Sequence, residues 1–151
     1  MSAVGFDPST YNSTTTSGFT VGAVYDYNGA LYRFVKNSGA GALANGDVTE
    51  PTTTLGFFCQ AGDAASIGRA ANGAAVGVIT AGNYGFVMVD GRHTAIKDAA
   101  NGVTAARPVI SFGGTTLGNA RNAAGAATDV VFGHAITSGA LGICTVDVRC
   151  V

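Results

Sequence analysis

Apolar and polar residues alternate with a period of two in several short runs of this chain, and glycine-rich turns separate the runs. The clearest case is residues 21–36, where Asn28-Gly29 stands between two runs of β-branched and aromatic residues. An Asn-Gly pair in that setting is typical of a two-residue type I′ turn. The pattern therefore predicts a β-hairpin whose side chains alternate between two faces.

Further strands are predicted at residues 55–62, 75–80, 84–90, 107–114 and 130–137. Residues 37–54 are interpreted as a turn-rich connector with little to bury, residues 64–73 as a loop, and residues 115–129 as a loop or a marginal helix. Eight to ten short strands with turn signals about every 8–12 residues are typical of a barrel or a sandwich. The sequence thus predicts an all-β protein, a small barrel or sandwich of short antiparallel strands.

One fourteen-residue pattern occurs twice, as ITAGNYGFVMVDGR at residues 79–92 and as ITSGALGICTVDVR at residues 136–149. Seven of the fourteen positions are identical, and the uncommon Asp and Arg recur in register. We interpret the copies as two equivalent hairpins, at about residues 75–92 and 131–149. In the first copy Val87 and Val89 face one side while Tyr84, Phe86 and Met88 face the other, so this strand is predicted to be apolar on both faces.

The charge content is low: 11% of the residues are charged, the formal net charge is −1, and glycine occurs 23 times. Ordinary soluble domains contain about 25% charged residues. Because there is no basic stripe to replace counterions, nucleic-acid binding is not expected. No apolar run reaches the ~20 residues of a membrane helix, and the N-terminus lacks a secretory pattern, so a soluble protein without a membrane partner is expected.

Residues that could carry chemistry are few. His93 and His134 are the only histidines, and each is interpreted as an ordinary surface or core-edge residue. Cys59, Cys144 and Cys150 are an odd number in a chain without an export signal, which favours reduced, buried thiols. No spacing typical of a metal site, a phosphate loop or a nucleophile elbow occurs. We therefore expect no catalytic residues, no metal and no cofactor, and a protein that is not an enzyme.

The repeated charged residues are Asp90 and Arg92 in the first copy and Asp147 and Arg149 in the second. Two residues apart on a strand, each Asp and Arg share a face. The sequence therefore predicts a local ion pair within each copy, as a polar end to the hairpin.

The chain divides into an extended N-terminal arm, residues 1–19, and a single β domain, residues 20–151. The arm places scattered aromatic residues among Ser, Thr and Asn, which suits either an arm that docks on a partner or a frayed tail.

Several stretches resemble the capsid decoration (cement) proteins of tailed bacteriophages. VGVITAGNYGFVMVDGR, at residues 76–92, is similar to a core segment of that family, and VVFGHAITSGALGICTVDV, at residues 130–148, resembles its closing segment. The early GAVYDYNGALYRFVKNSGAGALANGDV, at residues 22–48, resembles the opening strand pair of the family. The long Gly/Ala loop at residues 119–128 and the cysteines at positions 144 and 150 depart from the pattern.

This resemblance implies a virion structural protein, made in the host cytoplasm, that binds the outer surface of an assembled head and stabilises the capsid by bridging major capsid subunits. The partners it implies are the major capsid protein and further copies of this chain, with a homotrimer expected. The alternative is a glycan- or receptor-binding β-module of a phage fibre or spike. The candidate residues for the capsid or subunit interface are Phe6, Tyr11, Phe19, Tyr25, Tyr27, Tyr84, Phe86 and Met88.

Overall fold

The described part of the chain is all-β, as predicted. The structure, a computed structural model, describes residues 6–52, 57–62, 71–98, 103–110, 118–122, 131–138 and 142–150, and these contain strands and no helix. The strands are β1 (Val24–Tyr27), β2 (Ala30–Asn37), β3 (Val48–Pro51), β4 (Phe58–Ala61), β5 (Gly73–Ala75), β6 (Tyr84–Lys97), β7 (Pro108–Ile110), β8 (Arg121–Asn122), β9 (Val131–Ala135) and β10 (Ile143–Arg149).

The strands form one hydrogen-bonded sheet in the order β1-β2-β4-β3-β5-β6-β10-β9-β7-β8. All pairs are antiparallel except β2 with β4, which run parallel. In addition β2 pairs with β6, so strands β2, β4, β3, β5 and β6 close a circuit. The fold is therefore barrel-like at this end, and β10, β9, β7 and β8 extend the sheet from β6.

Strand β6 buries apolar side chains on both faces, which confirms the sequence prediction. Val87 and Val89 are fully buried in one cluster together with side chains of β2, β4 and β5. Phe86 and Met88 lie on the opposite face, in a second cluster that extends along β10 and β9. Each apolar side chain of this size contributes about 1.5–3 kcal/mol when it is fully buried, so β6 links the two cores of the chain.

The hairpin predicted from Asn28-Gly29 is confirmed. Both residues have positive φ, 52° and 78°, as a type I′ turn requires. Tyr27 pairs with Ala30 directly across the turn, and β1 and β2 continue the ladder from there.

Three predictions were wrong in their boundaries. The connector at residues 37–54 contains β3, whose Val48, Thr49 and Glu50 are buried. The local sequence has no alternation there, and cross-strand pairing of Glu50 with Gln60 on β4 stabilises the strand instead. The strand expected at residues 75–80 is replaced by β5, which ends at Ala75, and β6 continues beyond residue 90 to Lys97.

The described residues of the N-terminal arm fold back over the outer face of β2 and β6. Ser13 and Tyr84 exchange two backbone hydrogen bonds, of 3.2 and 2.7 Å. The Asn12 side-chain oxygen accepts hydrogen bonds from the backbone N–H of Thr80 (3.1 Å) and from the side chain of Asn83 (2.8 Å). The arm is therefore held at its middle by polar contacts.

Aromatic rings anchor the rest of the arm. The Phe19 ring centroid lies 5.0 Å from that of Phe86 and 5.2 Å from that of Phe34. Phe6 lies 4.9 Å from Phe86, and Tyr11 lies 5.5 Å from Phe34. Edge-to-face and tilted pairs at such distances contribute about 0.5–1.5 kcal/mol each beyond their buried area. The arm is thus part of the packed structure.

Phe19→Ala should lower the free energy of unfolding by about 2–4 kcal/mol, because it removes a half-buried ring that contacts five others. Urea unfolding followed by circular dichroism measures the loss. Phe58→Ala is the matched control: Phe58 is similarly exposed but has a single ring contact, with Phe57, so it should cost less. Equal losses would contradict the structural role of the arm.

Candidate functional site

The structure brings all eight candidate interface residues into one cluster on the outer face of β2 and β6. Phe86 and Met88 are buried there, and the other six pack against the same cluster while partly exposed: Phe6, Tyr11, Phe19, Tyr25, Tyr27 and Tyr84. We call these eight residues together with Phe34 the aromatic cluster.

For two of the eight residues a direct interface role must be corrected. Phe86 is 0% and Met88 5% exposed, because residues 6–19 and the β1–β2 hairpin cover them. Side chains buried to this extent cannot form a partner interface while this cover is in place. For the six partly exposed residues, the interface role stays a prediction.

The two copies of the repeat lie side by side. Strand β6 of the first copy pairs antiparallel with β10 of the second, and β9 pairs with β10 as the hairpin predicted for residues 131–149. In this register Asp90 lies opposite Arg149 and Arg92 lies opposite Asp147. The repeated Asp and Arg residues therefore form a charged quartet across the junction of the two copies.

The ion pair forms between the copies and not within each copy, which corrects the sequence expectation. Arg92 Nε donates to Asp147 Oδ1 at 2.9 Å, and Arg92 Nη2 donates to Oδ2 at 3.4 Å. The hydrogen bond from Arg92 lowers the pKa of Asp147 below its ordinary value. The Arg92 side chain is 61% exposed, and pairs at exposed positions contribute little to stability. The quartet therefore serves mainly to fix the register of β6 and β10.

The two copies differ in what covers their outer faces. In the first copy, Phe86 lies beneath the arm. Its counterpart in the repeat is Ile143, which starts β10 and is 49% exposed. Ile136, at the end of β9, is 42% exposed, and its backbone N–H donates to the Thr145 carbonyl oxygen of β10. We call Ile136 and Ile143 the bare hairpin face; sequence reasoning missed it because the repeat itself predicts equal surroundings for both copies.

His93 is a buried structural residue. Its Nε2 lies 2.9 Å from the Ala75 carbonyl oxygen, and its Nδ1 accepts the Ala95 N–H at 3.2 Å. These partners assign a neutral imidazole with the proton on Nε2. Burial lowers the pKa of His93, while the bond to Ala75 acts in the opposite direction. His93 thus links β6 to the end of β5.

His134 lies on the exposed face of β9, opposite Asp147 of β10. His134 is exposed whereas His93 is buried against the Ala75 carbonyl oxygen, so the structure does not bring the two histidines into one site. In the residues that the structure describes, no three His, Cys, Asp or Glu side chains are grouped as metal ligands. The same residues include no helix long and apolar enough to cross a membrane.

The three cysteines are free thiols, as expected from the sequence. Burial raises the pKa of Cys59 to about 12, that of Cys144 to about 11 and that of Cys150 to about 12. A thiol is nucleophilic only as the thiolate. At neutral pH these cysteines therefore act as small packing residues.

Comparison with known proteins gave no match: no family model fits the chain, and no curated protein or solved structure is significantly similar to it.

The stability of the protein should fall between pH 7 and pH 5 because of His93. The folded chain holds the imidazole neutral, so the unfolded chain binds a proton more tightly. The contribution is complete above the ordinary histidine pKa of about 6.5 and is lost as the pH falls through it toward the lowered folded value. The slope is at most about 1.4 kcal/mol per pH unit for this one group.

Urea unfolding at several pH values, for the wild type and for His93→Gln, measures this effect. The variant should lose the part of the slope that His93 contributes, and an NMR titration of the wild type should place the His93 pKa below 6.5. An unchanged slope in a folded variant, or a His93 pKa above that value, would contradict the assignment.

Proposed function

We propose that this chain is a virion structural protein that attaches to the outside of an assembled bacteriophage head and stabilises the capsid by bridging major capsid subunits. The proposal is for a binding role and includes no catalytic step. Two observations support it. The repeat, the opening strand pair and the closing segment resemble the family, and the bare hairpin face is exposed.

The bare hairpin face carries the proposal. The first copy of the repeat shows how this chain covers the outer face of such a hairpin: an extended segment packs aromatic rings against Phe86. The second copy has the equivalent Ile143 in place on β10, Ile136 bonds to Thr145 two residues further along that strand, and both isoleucines remain exposed. Bulky apolar side chains grouped at a surface are typical of protein interfaces. The second copy is therefore the docking surface we assign to the capsid.

The closed circuit supports the same role. A protein that bridges subunits must transmit force without changing shape, and strands β2, β4, β3, β5 and β6 pair continuously around a packed interior. The five-strand circuit leaves no unpaired edge among its own members. Low charge also suits the role, because few charged groups must lose water on attachment.

Co-sedimentation with heads assembled from the major capsid protein of the same phage tests the proposal. The wild-type protein should pellet with the heads, and Ile136→Ser with Ile143→Ser should weaken attachment at least tenfold. Val78→Ser, which alters a valine that is 54% exposed elsewhere on the surface, is the matched control and should attach normally. A wild-type protein that stays in the supernatant, or a double variant that attaches as well as the control, would refute it.

The oligomeric state is a separate expectation. We expect a trimer at micromolar concentration, because the family resemblance implies one and because a chain with 11% charged residues has few charged groups that must lose water when copies associate. Light scattering coupled to size-exclusion chromatography measures the mass, and a monomer of 15.0 kDa would contradict it.

A further inference from the structure

A groove of about 380 Å³ lies away from the aromatic cluster, between residues 39–42, the start of β3, β4 and the end of β6. It adjoins the bare hairpin face, because Lys97 in its lining pairs with Ile143 across β6 and β10. Its polar lining consists of Asp47, Gln60 and Lys97, and the rest is glycine and alanine. This volume is at the small end of the range for ligand pockets, about 300–1,000 Å³.

The polar groups of the groove are held in place by partners behind them. Lys97 Nζ lies 2.6 Å from Asp47 Oδ1, and Asp47 Oδ2 accepts the Ala44 N–H at 2.7 Å. The Asp47 side chain is only 6% exposed. Gln60 Nε2 donates to Glu50 Oε1 at 2.7 Å, so the amide at the groove wall is oriented. A carboxylate, an ammonium and an amide are thus fixed before any ligand arrives.

The wall formed by residues 39–42 is also fixed. Asn37, which is fully buried, donates to the Gly41 carbonyl oxygen at 2.9 Å and accepts the Gly39 N–H at 3.0 Å. A Cβ on Gly39 would lie 2.9 Å from the Gln60 Cβ, so only glycine permits this close approach. The groove is a preorganised site, which lowers the entropy cost of binding.

The charge of the lining decides the class of ligand. The two charged residues in the groove, Asp47 and Lys97, pair with each other, so neither an anion nor a cation gains a net attraction. A hydroxyl group suits such a lining, because it accepts from the Lys97 ammonium, whose charge the buried Asp47 neutralises, and donates to the Gln60 amide oxygen. The methyl groups of Ala40, Ala42 and Ala61 offer apolar contact beside these polar groups.

We propose that this groove binds a neutral sugar ring, with vicinal hydroxyls on Lys97 and Gln60 and the C–H face of the ring against the alanines. The ring is either a free sugar or the end of a glycan. The inference does not depend on attachment to a capsid. It gives the protein a second binding surface, which adjoins the bare hairpin face at the Lys97–Ile143 pair but shares no residue with it.

NMR titration of the ¹⁵N-labelled protein tests the proposal with four probes: glucose, galactose, mannose and N-acetylglucosamine. At least one should shift the amide signals of residues 39–42 and Lys97 in a saturable way, with a Kd on the order of 1 mM or tighter. The methyl glycoside of the sugar that binds, and an oligosaccharide that ends in it, distinguish a free sugar from the end of a glycan.

A pair of matched variants locates the site. Ala42→Phe puts a ring at the groove wall and should weaken sugar binding at least tenfold. Asn45→Phe adds the same ring at an exposed position of the neighbouring turn, outside the lining, and should bind as the wild type does. Gln60→Ala should also weaken binding, by several-fold, without filling the groove.

The proposal is overturned if none of the four sugars gives saturable shifts, if the shifts lie elsewhere, or if Ala42→Phe binds as well as Asn45→Phe. Co-sedimentation of Ala42→Phe with heads separates this inference from the proposed function. That variant should lose the sugar and keep its attachment to heads, since Ala42 lies in the groove wall of residues 39–42 and Ile136 and Ile143 stay unchanged.

Discussion

The burial of both faces of β6 is the constraint on which the described fold depends. Val87 and Val89 need a cover on one side, which β2, β4 and β5 provide by closing a circuit. Phe86 and Met88 need a cover on the other, which the arm and the β1–β2 hairpin provide with aromatic rings. Exposing one large apolar side chain costs about 1.5–3 kcal/mol, a large share of the ~5–15 kcal/mol by which a domain is stable. The circuit and the arm are therefore both consequences of one strand.

The repeat explains how the second hairpin joins this strand. Antiparallel pairing of two Asp-x-Arg segments places each acid opposite a base when Asp90 faces Arg149, and Arg92 then faces Asp147. A shift of two residues would place Asp90 opposite Asp147, and like charges directly opposite one another are destabilising. The repeated charges thus select one register, although each exposed pair adds little to stability. The pairing uses only the Asp-x-Arg segment of each copy, and the surroundings of the two copies differ.

The fold class, the first hairpin and the two-sided burial of β6 follow from local patterns. Asn28-Gly29 fixes a turn by its own backbone preferences, and the alternation in residues 84–89 determines which side chains share a face.

Strand β3 could not be predicted, because Thr49 and Glu50 are buried through contacts with segments distant in sequence. Thr49 Oγ1 donates to Asn72 Oδ1 at 2.6 Å, and Glu50 accepts from Gln60. The Asp47–Lys97 ion pair could not be predicted for the same reason: its members are fifty positions apart, and only the packing of the turn before β3 against β6 brings them together.

The candidate interface residues chosen from the sequence do form one cluster. The sequence did not indicate that the chain itself covers part of that cluster.

This self-covering limits how the arm can take part in any attachment. If residues 6–19 left their place to bind a partner, Phe34 and Phe86, both 0% exposed, would be uncovered, and the ring contacts of Phe6, Tyr11 and Phe19 with them would be lost. The partner would have to replace those contacts before it gained any net affinity. Docking at Ile136 and Ile143 carries no such cost, because both side chains are already exposed and lie on a paired hairpin. Attachment through the second hairpin with the arm in place is therefore favoured over attachment through a released arm.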